Sequence, residues 1–581
     1  MAVTLTGAGV SPGAGHGPAY ILTASVPEPP EDSAHTGGAD AEKERALAAL
    51  RQVADELEAR AARLERPDDP ASGGTGREGA DILRAQALMA VDPGLAVEVE
   101  ALVDEGVAAP RAVFSAFVKY RDALAGAGGY LGERVADLDD VRDRAIAALT
   151  GQPLPGVPAE PAPPAEPGGA PRPYVLVARD LAPADTALLS REVVAAFVTE
   201  RGGPTSHTAI LARAMGVPAV VGCAGATAIP PGATVLVDGS SGEVRPDPSA
   251  EDLARVAGVE KARRAALARA GESGATRDGR PVPLLANIGG PQDLDAALRH
   301  GAEGVGLYRT EFLFLGRRHA PDAEEQERAY RAALAAFPGR TVVVRALDAG
   351  ADKPLAFLPP PGEEPNPALG ERGLRLLRRF GDVLDAQLGA LARAAASETA
   401  ELQVMAPMVA TAEEAAWFAE ACRARGLRKA GVMVEVPAAA LRAASLAAEV
   451  DFLSIGTNDL AQYAFAADRE LGTLGDLQDP WQPALLDLVR LAAAGASEAA
   501  RPCGVCGEAA ADPALACVLV GLGVTSLSMA AAALPAVRAG LGEHTLEQCR
   551  EAAEAARSAG GPGQARAAAR ACLPALDRLG L

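Results

Sequence analysis

Histidine and cysteine are scarce in this chain, six and seven in 581 residues. Seven thiols, an odd number spread thinly over this length, exclude a disulfide framework and point to a reducing compartment. Positive charge is short as well. The 55 Lys and Arg stand against 76 Asp and Glu, a net charge of −21. That balance argues against nucleic acid or an anionic membrane as the main partner, and it allows a basic protein partner. Apolar runs of membrane-spanning length are missing too, because the alanine-rich stretches are broken by Arg and Glu. The start, Met1-Ala2-Val3-Thr4-Leu5, lacks the basic and apolar regions of a secretion signal. Together these absences predict a cytoplasmic protein with no membrane insertion. The apolar share of 49% is ample for several cores, and the length predicts roughly two to four domains.

Residues 1–36 hold short apolar runs and turn signals such as Ser11-Pro12-Gly13. From Ala41 to Arg66 the apolar positions Leu47, Leu50, Val53, Leu57 and Leu64 recur at helical spacing. Helical patterns continue through Ala80–Val91 and Val135–Leu149. Gly151–Pro173 is dense in Pro, Gly, Ala and Glu and reads as an extended linker. Strand-like runs then return at Tyr174–Ala178, Val193–Val198, Ala219–Val221 and Thr234–Val237. The pattern predicts one α/β domain from residues 1–36 and 150–248, with a helical block, 37–149, inserted in it. A linker helix region covers 249–281. Residues 282–581 alternate eight apolar strand candidates with helical segments, the rhythm of a (β/α)₈ barrel. Those candidates are Leu284–Ile288, Val305–Tyr308, Val342–Val344, Leu402–Met405, Gly431–Val434, Phe452–Ile455, Gly504–Val505 and Ser526–Met529. The fold class is therefore multidomain α/β.

One of the six histidines sits in Gly202-Gly203-Pro204-Thr205-Ser206-His207-Thr208-Ala209. Glycines let the main chain approach an anion, and the hydroxyls supply donors. A helix start follows, whose free N–H groups favour negative charge. His207 there can accept a phosphoryl group as a nucleophile; the bland alternative is a polar turn with a packed histidine.

Barrels carry their chemistry at the C-terminal ends of strands, and polar residues gather there in this chain: Asn287, Arg309, Arg345, Glu435, Asn458, Asp459 and Cys506. Two guanidiniums at one mouth match the oxygens of a small polyanion. Lys353 and Arg372 follow the third strand and read as a lid with further positive charge. Glu435 and Asp459 from adjacent strands suit Mg²⁺, which takes few protein oxygens and keeps water and phosphate ligands. Singly, each of these charges is an ordinary ion pair or a solvated strand end. Cys503-Gly504-Val505-Cys506 invites a redox or zinc reading. No further metal ligands stand nearby in sequence, and a strand-end thiol acting as a proton donor or acceptor fits better. A merely structural cysteine is the alternative.

These residues resemble Enzyme I of the bacterial phosphoenolpyruvate:sugar phosphotransferase system. The resemblance rests on Ser11-Pro12-Gly13, Asp180–Ala187, Gly202–Arg213, Gly301–Phe312, Met433–Ala439, Ser454–Leu460 and Cys506-Gly507-Glu508. It implies autophosphorylation of His207 from phosphoenolpyruvate, then transfer to a histidine of the carrier HPr. Thr186 would lie near the same ring. Arg309, Arg345, Asn458 and Arg469 would contact phosphoenolpyruvate, Glu435 and Asp459 would hold Mg²⁺, and Cys506 would protonate the enolate. The helical block would dock HPr, and the barrel would form the homodimer. The chain departs from the family pattern at Gln86, where a histidine is common, along Gly151–Pro173, and over Glu470–Pro483. Rival readings are a pyruvate phosphate dikinase or phosphoenolpyruvate synthase relative, for which no nucleotide-binding domain is evident, and a non-catalytic phosphoenolpyruvate-sensing scaffold.

Overall fold

The computed structural model describes residues 4–11, 13–22, 26–64, 76–127, 135–152, 172–181, 189, 193–203, 207–269, 273–351, 353–359, 364–468 and 471–581. The chain divides into two compact units, Met1–Ala257 and Gly258–Leu581. The boundary falls inside the helix Ala250–Arg269, where the apolar pattern places a connecting helix.

The first unit is built on an eight-stranded sheet with strand order β1-β8-β7-β3-β4-β5-β6-β2. The strands are β1 (Leu5–Thr6), β2 (Ala8–Ser11), β3 (Ala14–Leu22), β4 (Tyr174–Ala178), β5 (Val194–Thr199), β6 (Ala219–Val221), β7 (Thr234–Asp238) and β8 (Glu243–Pro246). In β4, Tyr174, Leu176 and Ala178 pack into one apolar cluster and Val175 and Val177 into another. Alternate side chains point to opposite faces of a strand. A strand buried on both faces must therefore read as an unbroken apolar run, and Tyr174-Val175-Leu176-Val177-Ala178 does.

Among the described residues, five helices stand between the neighbouring parallel strands β3 and β4: α1 (Ala39–Leu64), α2 (Gly76–Ala90), α3 (Pro93–Asp104), α4 (Ala109–Ala127) and α5 (Val135–Thr150). Leu50, Val53 and Leu57 of α1 are buried with Leu83, Val99, Val113, Phe117 and Ile146. Asp92 caps α3, accepting from the N–H groups of Gly94 and Leu95 at 2.9 and 3.0 Å. Pro93 follows at the first position, where a missing N–H costs nothing. Gln86 is fully buried in this bundle, so its side chain belongs to the core and not to a docking face. The linker expected at Gly151–Pro173 lies mostly outside the described residues.

The second unit is a closed barrel of eight parallel strands: β9 (Leu284–Ile288), β10 (Val305–Arg309), β11 (Thr341–Arg345), β12 (Glu401–Ala406), β13 (Ala430–Val434), β14 (Phe452–Ile455), β15 (Cys503–Val505) and β16 (Ser526–Met529). Each strand pairs with the next in sequence, and β16 closes on β9 through Leu527 opposite Leu284. Every expected barrel strand is present within one or two residues. Leu307, Val343, Met405, Met433, Phe452 and Cys506 form an apolar plug. Strands that pack helices outside and a plug inside have no polar face, which is why they stand out in the sequence. Among the described residues no helix is long and apolar enough to cross a membrane.

Candidate active site

The barrel strands deliver their polar ends to one cavity of about 370 Å³. Arg309 ends β10, Arg345 ends β11, and Glu435 follows β13. Asn458 and Asp459 open the helix Thr457–Phe465 after β14, and Cys506 follows β15. All six line the cavity, together with Lys353. Of the sequence-derived barrel residues these seven thus converge on one place; Asn287 and Arg372 do not line the cavity.

Arg345 is nearly fully buried. It pairs with Glu311, lies 3.4 Å from Asp348, and donates to the Met433 sulfur at 3.5 Å. Burial works against its charge, but Glu311, Asp348 and Glu435 more than offset this and hold it protonated. Thr310 fixes the strand beneath it, donating from Oγ1 to the Arg345 carbonyl at 2.9 Å. Arg309 is half-buried, and among the described residues it has no ion-pair partner.

Arg372 is not on an open lid. It is 1% exposed, and its fork grips Asp348 at 3.1 and 3.0 Å. Its Nη1 donates to Asp459 at 3.0 Å and lies 3.4 Å from the Tyr463 hydroxyl. The expectation of a mobile cation here gives way to a buried ion-pair network, because an arginine between two carboxylates has no need of solvent. Lys353 is the more exposed member, 3.9 Å from Asp348.

Glu435 is 1% exposed. Its Oε1 accepts from the Met408 N–H at 2.6 Å. Its Oε2 is buried without a hydrogen-bond partner among the described residues. Burial, helped by the nearby charges of Asp459 and Asp348, pushes its carboxyl up to about 8. Among the described residues no group of three or more His, Cys, Asp or Glu is gathered as a metal cluster. Glu435 and Asp459 are a pair, the number of protein oxygens a magnesium–phosphate complex uses.

Cys506 is buried at 2% exposure. Its thiol faces the Ile455 carbonyl at 3.6 Å and its N–H bonds the same oxygen at 3.0 Å. Burial pushes the thiol up to about 11, against the pull of Ser454, Arg345 and Arg309. It is therefore a neutral S–H at pH 7 and can give a proton. Asn287 of β9 donates to the Cys506 carbonyl at 3.1 Å and accepts from the Ser528 hydroxyl at 2.5 Å. Cys503 is a free, buried core residue, pushed up to about 12 by desolvation. That speaks against a redox pair.

In the first unit, His207 is the first residue of the helix α6 (His207–Met215). Thr208 beside it is buried. Gly202, at φ +95°, takes the left-handed conformation that glycine allows. Residues 204–206 of the motif, Thr186 and Arg469 lie outside the described residues.

Sequence reasoning missed Asp348 and left Glu311 without a role. Asp348 stands three residues after Arg345, and a carboxylate so close to a strand-end arginine was the available signal.

A closed parallel barrel with a cation-lined mouth, preceded by an α/β unit with a glycine–hydroxyl–histidine helix start, defines a class of phosphoenolpyruvate-utilising enzymes, and family models agree. The N-terminal domain of PEP-utilising enzymes matches residues 6–134, their mobile domain 170–242, and their PEP-binding domain 264–545. The phosphoenolpyruvate-protein phosphotransferase of Streptomyces coelicolor is 57% identical over 575 residues, covering 99% of this chain and 100% of that one. Those of Haloferax volcanii and Bacillus subtilis are 40% and 38% identical, each over 91% of this chain and 92% of their own. The chain belongs to the phosphoenolpyruvate-protein phosphotransferases, the Enzyme I family, and is a transferase.

Proposed function

We propose that this protein takes the phosphoryl group of phosphoenolpyruvate onto His207 and passes it to a histidine of the carrier protein HPr, the first step of sugar uptake by the phosphotransferase system. One observation carries the reading. The barrel cavity holds cations for a phosphate and a carboxylate, a carboxylate pair for a metal, and a neutral buried thiol.

Arg309 and Arg345, with Asn458 and Arg469, bind and orient phosphoenolpyruvate. Lys353 and Arg372 add positive charge, and Thr186 supports the histidine ring. His207 attacks phosphorus, the P–O bond to the enol oxygen breaks, and enolpyruvate leaves. Cys506 gives its proton to C3 and pyruvate forms. Glu435 and Asp459 fit Mg²⁺, since the Glu435 Oε2 is a buried acceptor in want of a cation. A bound Mg²⁺ would supply positive charge to the phosphate oxygens. His207 and the cavity belong to different units, so the unit carrying His207 delivers it to the mouth and then to HPr. The helical block α1–α5 is the HPr dock, the barrel is the homodimer unit, and the site of action is the cytoplasm.

Phosphoenolpyruvate labelled at phosphorus, given with Mg²⁺, tests the reading. An acid-labile, base-stable label that passes to added HPr is expected, and His207→Ala abolishes it. Labelling that survives His207→Ala overturns the assignment.

A further inference from the structure

Five alternating charges run across the mouth of the barrel. Glu311 pairs with Arg345, which lies 3.4 Å from Asp348. Asp348 holds both prongs of the Arg372 guanidinium at 3.1 and 3.0 Å, and Arg372 meets Asp459 at 3.0 Å. Lys353 branches from the middle, 3.9 Å from Asp348. Asp348 is fully buried, lines the cavity, and touches all three cations of this network.

The three cations come from separate places on the chain: the end of β11, the loop at Lys353 and the turn before the helix Leu374–Arg379. Like charges brought this close repel, and burial strengthens the repulsion. An anion at their centre is what lets them stay together. Each arginine also has a carboxylate on its far side, Glu311 for Arg345 and Asp459 for Arg372. Without the central charge, each would move toward that outer partner. The cluster would open, and Asp459 would be more tightly masked.

We infer that Asp348 is a positioning residue for phosphoenolpyruvate: anchored from behind by the buried Arg372, it holds Arg345 and Lys353 at the cavity wall, so that the substrate's phosphate and carboxylate meet cations already assembled. The inference rests on the functional reading above. The buried fork of Arg372 fixes the plane of its guanidinium, and a preassembled clamp spares the substrate the cost of ordering it. The surroundings hold the Asp348 carboxyl well below the usual carboxylate range. Burial opposes its charge, and Arg345 and Arg372 outweigh burial.

The test compares the full-length protein with Asp348→Asn and Asp348→Glu, following steady-state pyruvate formation with phosphoenolpyruvate varied at saturating Mg²⁺ and with HPr in excess as the phosphoryl acceptor. Asp348→Asn keeps the shape and removes the charge; Asp348→Glu keeps the charge and displaces it. A rise of at least tenfold in KM for phosphoenolpyruvate in either folded variant is the expected result. A structural role alone lowers the amount of active protein, and so the apparent kcat, with KM unchanged. That outcome overturns the inference. If Asp348→Asn does not fold, Asp348→Glu decides: a wild-type KM overturns the role, and a tenfold rise upholds it. A wild-type protein that makes no pyruvate overturns the functional reading instead, and so separates the two failures.

Discussion

Glu435 accepts its hydrogen bond from the backbone N–H of Met408 at 2.6 Å. Met408 makes it with φ at +57°, a conformation few residues with a side chain adopt. The bond uses Oε1 and leaves Oε2 buried and unpartnered among the described residues. The chain thus accepts backbone strain to aim a half-satisfied carboxylate into the cavity.

The proposed divalent cation would complete that carboxylate. Glu435→Gln keeps the shape and removes the charge. With Mn²⁺ in place of Mg²⁺ and phosphoenolpyruvate present, free Mn²⁺ measured by electron paramagnetic resonance should show binding at least tenfold weaker than in wild type. Equal affinities would remove Glu435 from the metal site.

In the proposed mechanism Cys506 acts as a thiol, not a thiolate. Cys506→Ala should fold normally and slow pyruvate formation by about 10²–10⁴, the usual range for a lost general acid. Alkylation mapped by mass spectrometry should find Cys506 unmodified at pH 8 while the half-buried Cys572 reacts, with reactivity rising toward about pH 11. The sign of the linked stability follows. The thiol titrates higher in the folded state than its ordinary 9.0, so its contribution is intact below pH 9 and is lost as pH climbs toward 11. Wild-type stability that does not fall more steeply than that of Cys506→Ala across this window would refute the shift.

Gly507 is a packing requirement next to the thiol. A Cβ there would stand 1.9 Å from the Thr457 Oγ1 and 2.7 Å from its backbone nitrogen. Gly507→Ala should cost about 1–3 kcal/mol, the range for overpacking, and lower activity by shifting Cys506. Gly475→Ala has open space around it and serves as the control. Equal melting temperatures for the two variants would contradict the geometry.

The buried ion pair of the helical domain gives a fourth test. Arg144 is fully buried, 2.9 Å from Asp140 and 3.9 Å from Glu56. Arg144→Met strands Asp140 and should cost about 3–5 kcal/mol in a urea melt. Adding Asp140→Leu should restore part of it. A double variant less stable than the single would show that the pair is not the cause.

The barrel strands were readable because both faces of each are buried, leaving runs such as Val342-Val343-Val344 with no polar interruption. The paired strands β1–β3 were not. Gly15, Gly17 and Pro18 break the apolar signal in β3, and their reason is close approach: a Cβ on Gly15 would lie 2.1 Å from the Ala195 carbonyl oxygen. The strand-end arginines, carboxylates and thiol were readable as chemistry out of place on apolar strands. Asp348 was readable only in part: its place three residues after Arg345 is a local signal, but its bond to Arg372, 24 residues away, is encoded in no local pattern.

The insertion of α1–α5 between adjacent strands also sets a timetable for synthesis. β3 ends at Leu22 and its parallel neighbour β4 begins at Tyr174. At about 5–20 residues per second, a ribosome needs roughly 8–30 s to bridge that gap. The strands made first, β1 to β3, pair outside their own group with β4, β6, β7 and β8, all made later. The helical bundle, whose contacts are mostly local, has its whole sequence by Thr150 and can fold while the early strands still wait. The last-formed part of this unit is then the sheet on which the helix His207–Met215 packs, and the helical block proposed as the carrier dock is complete before it.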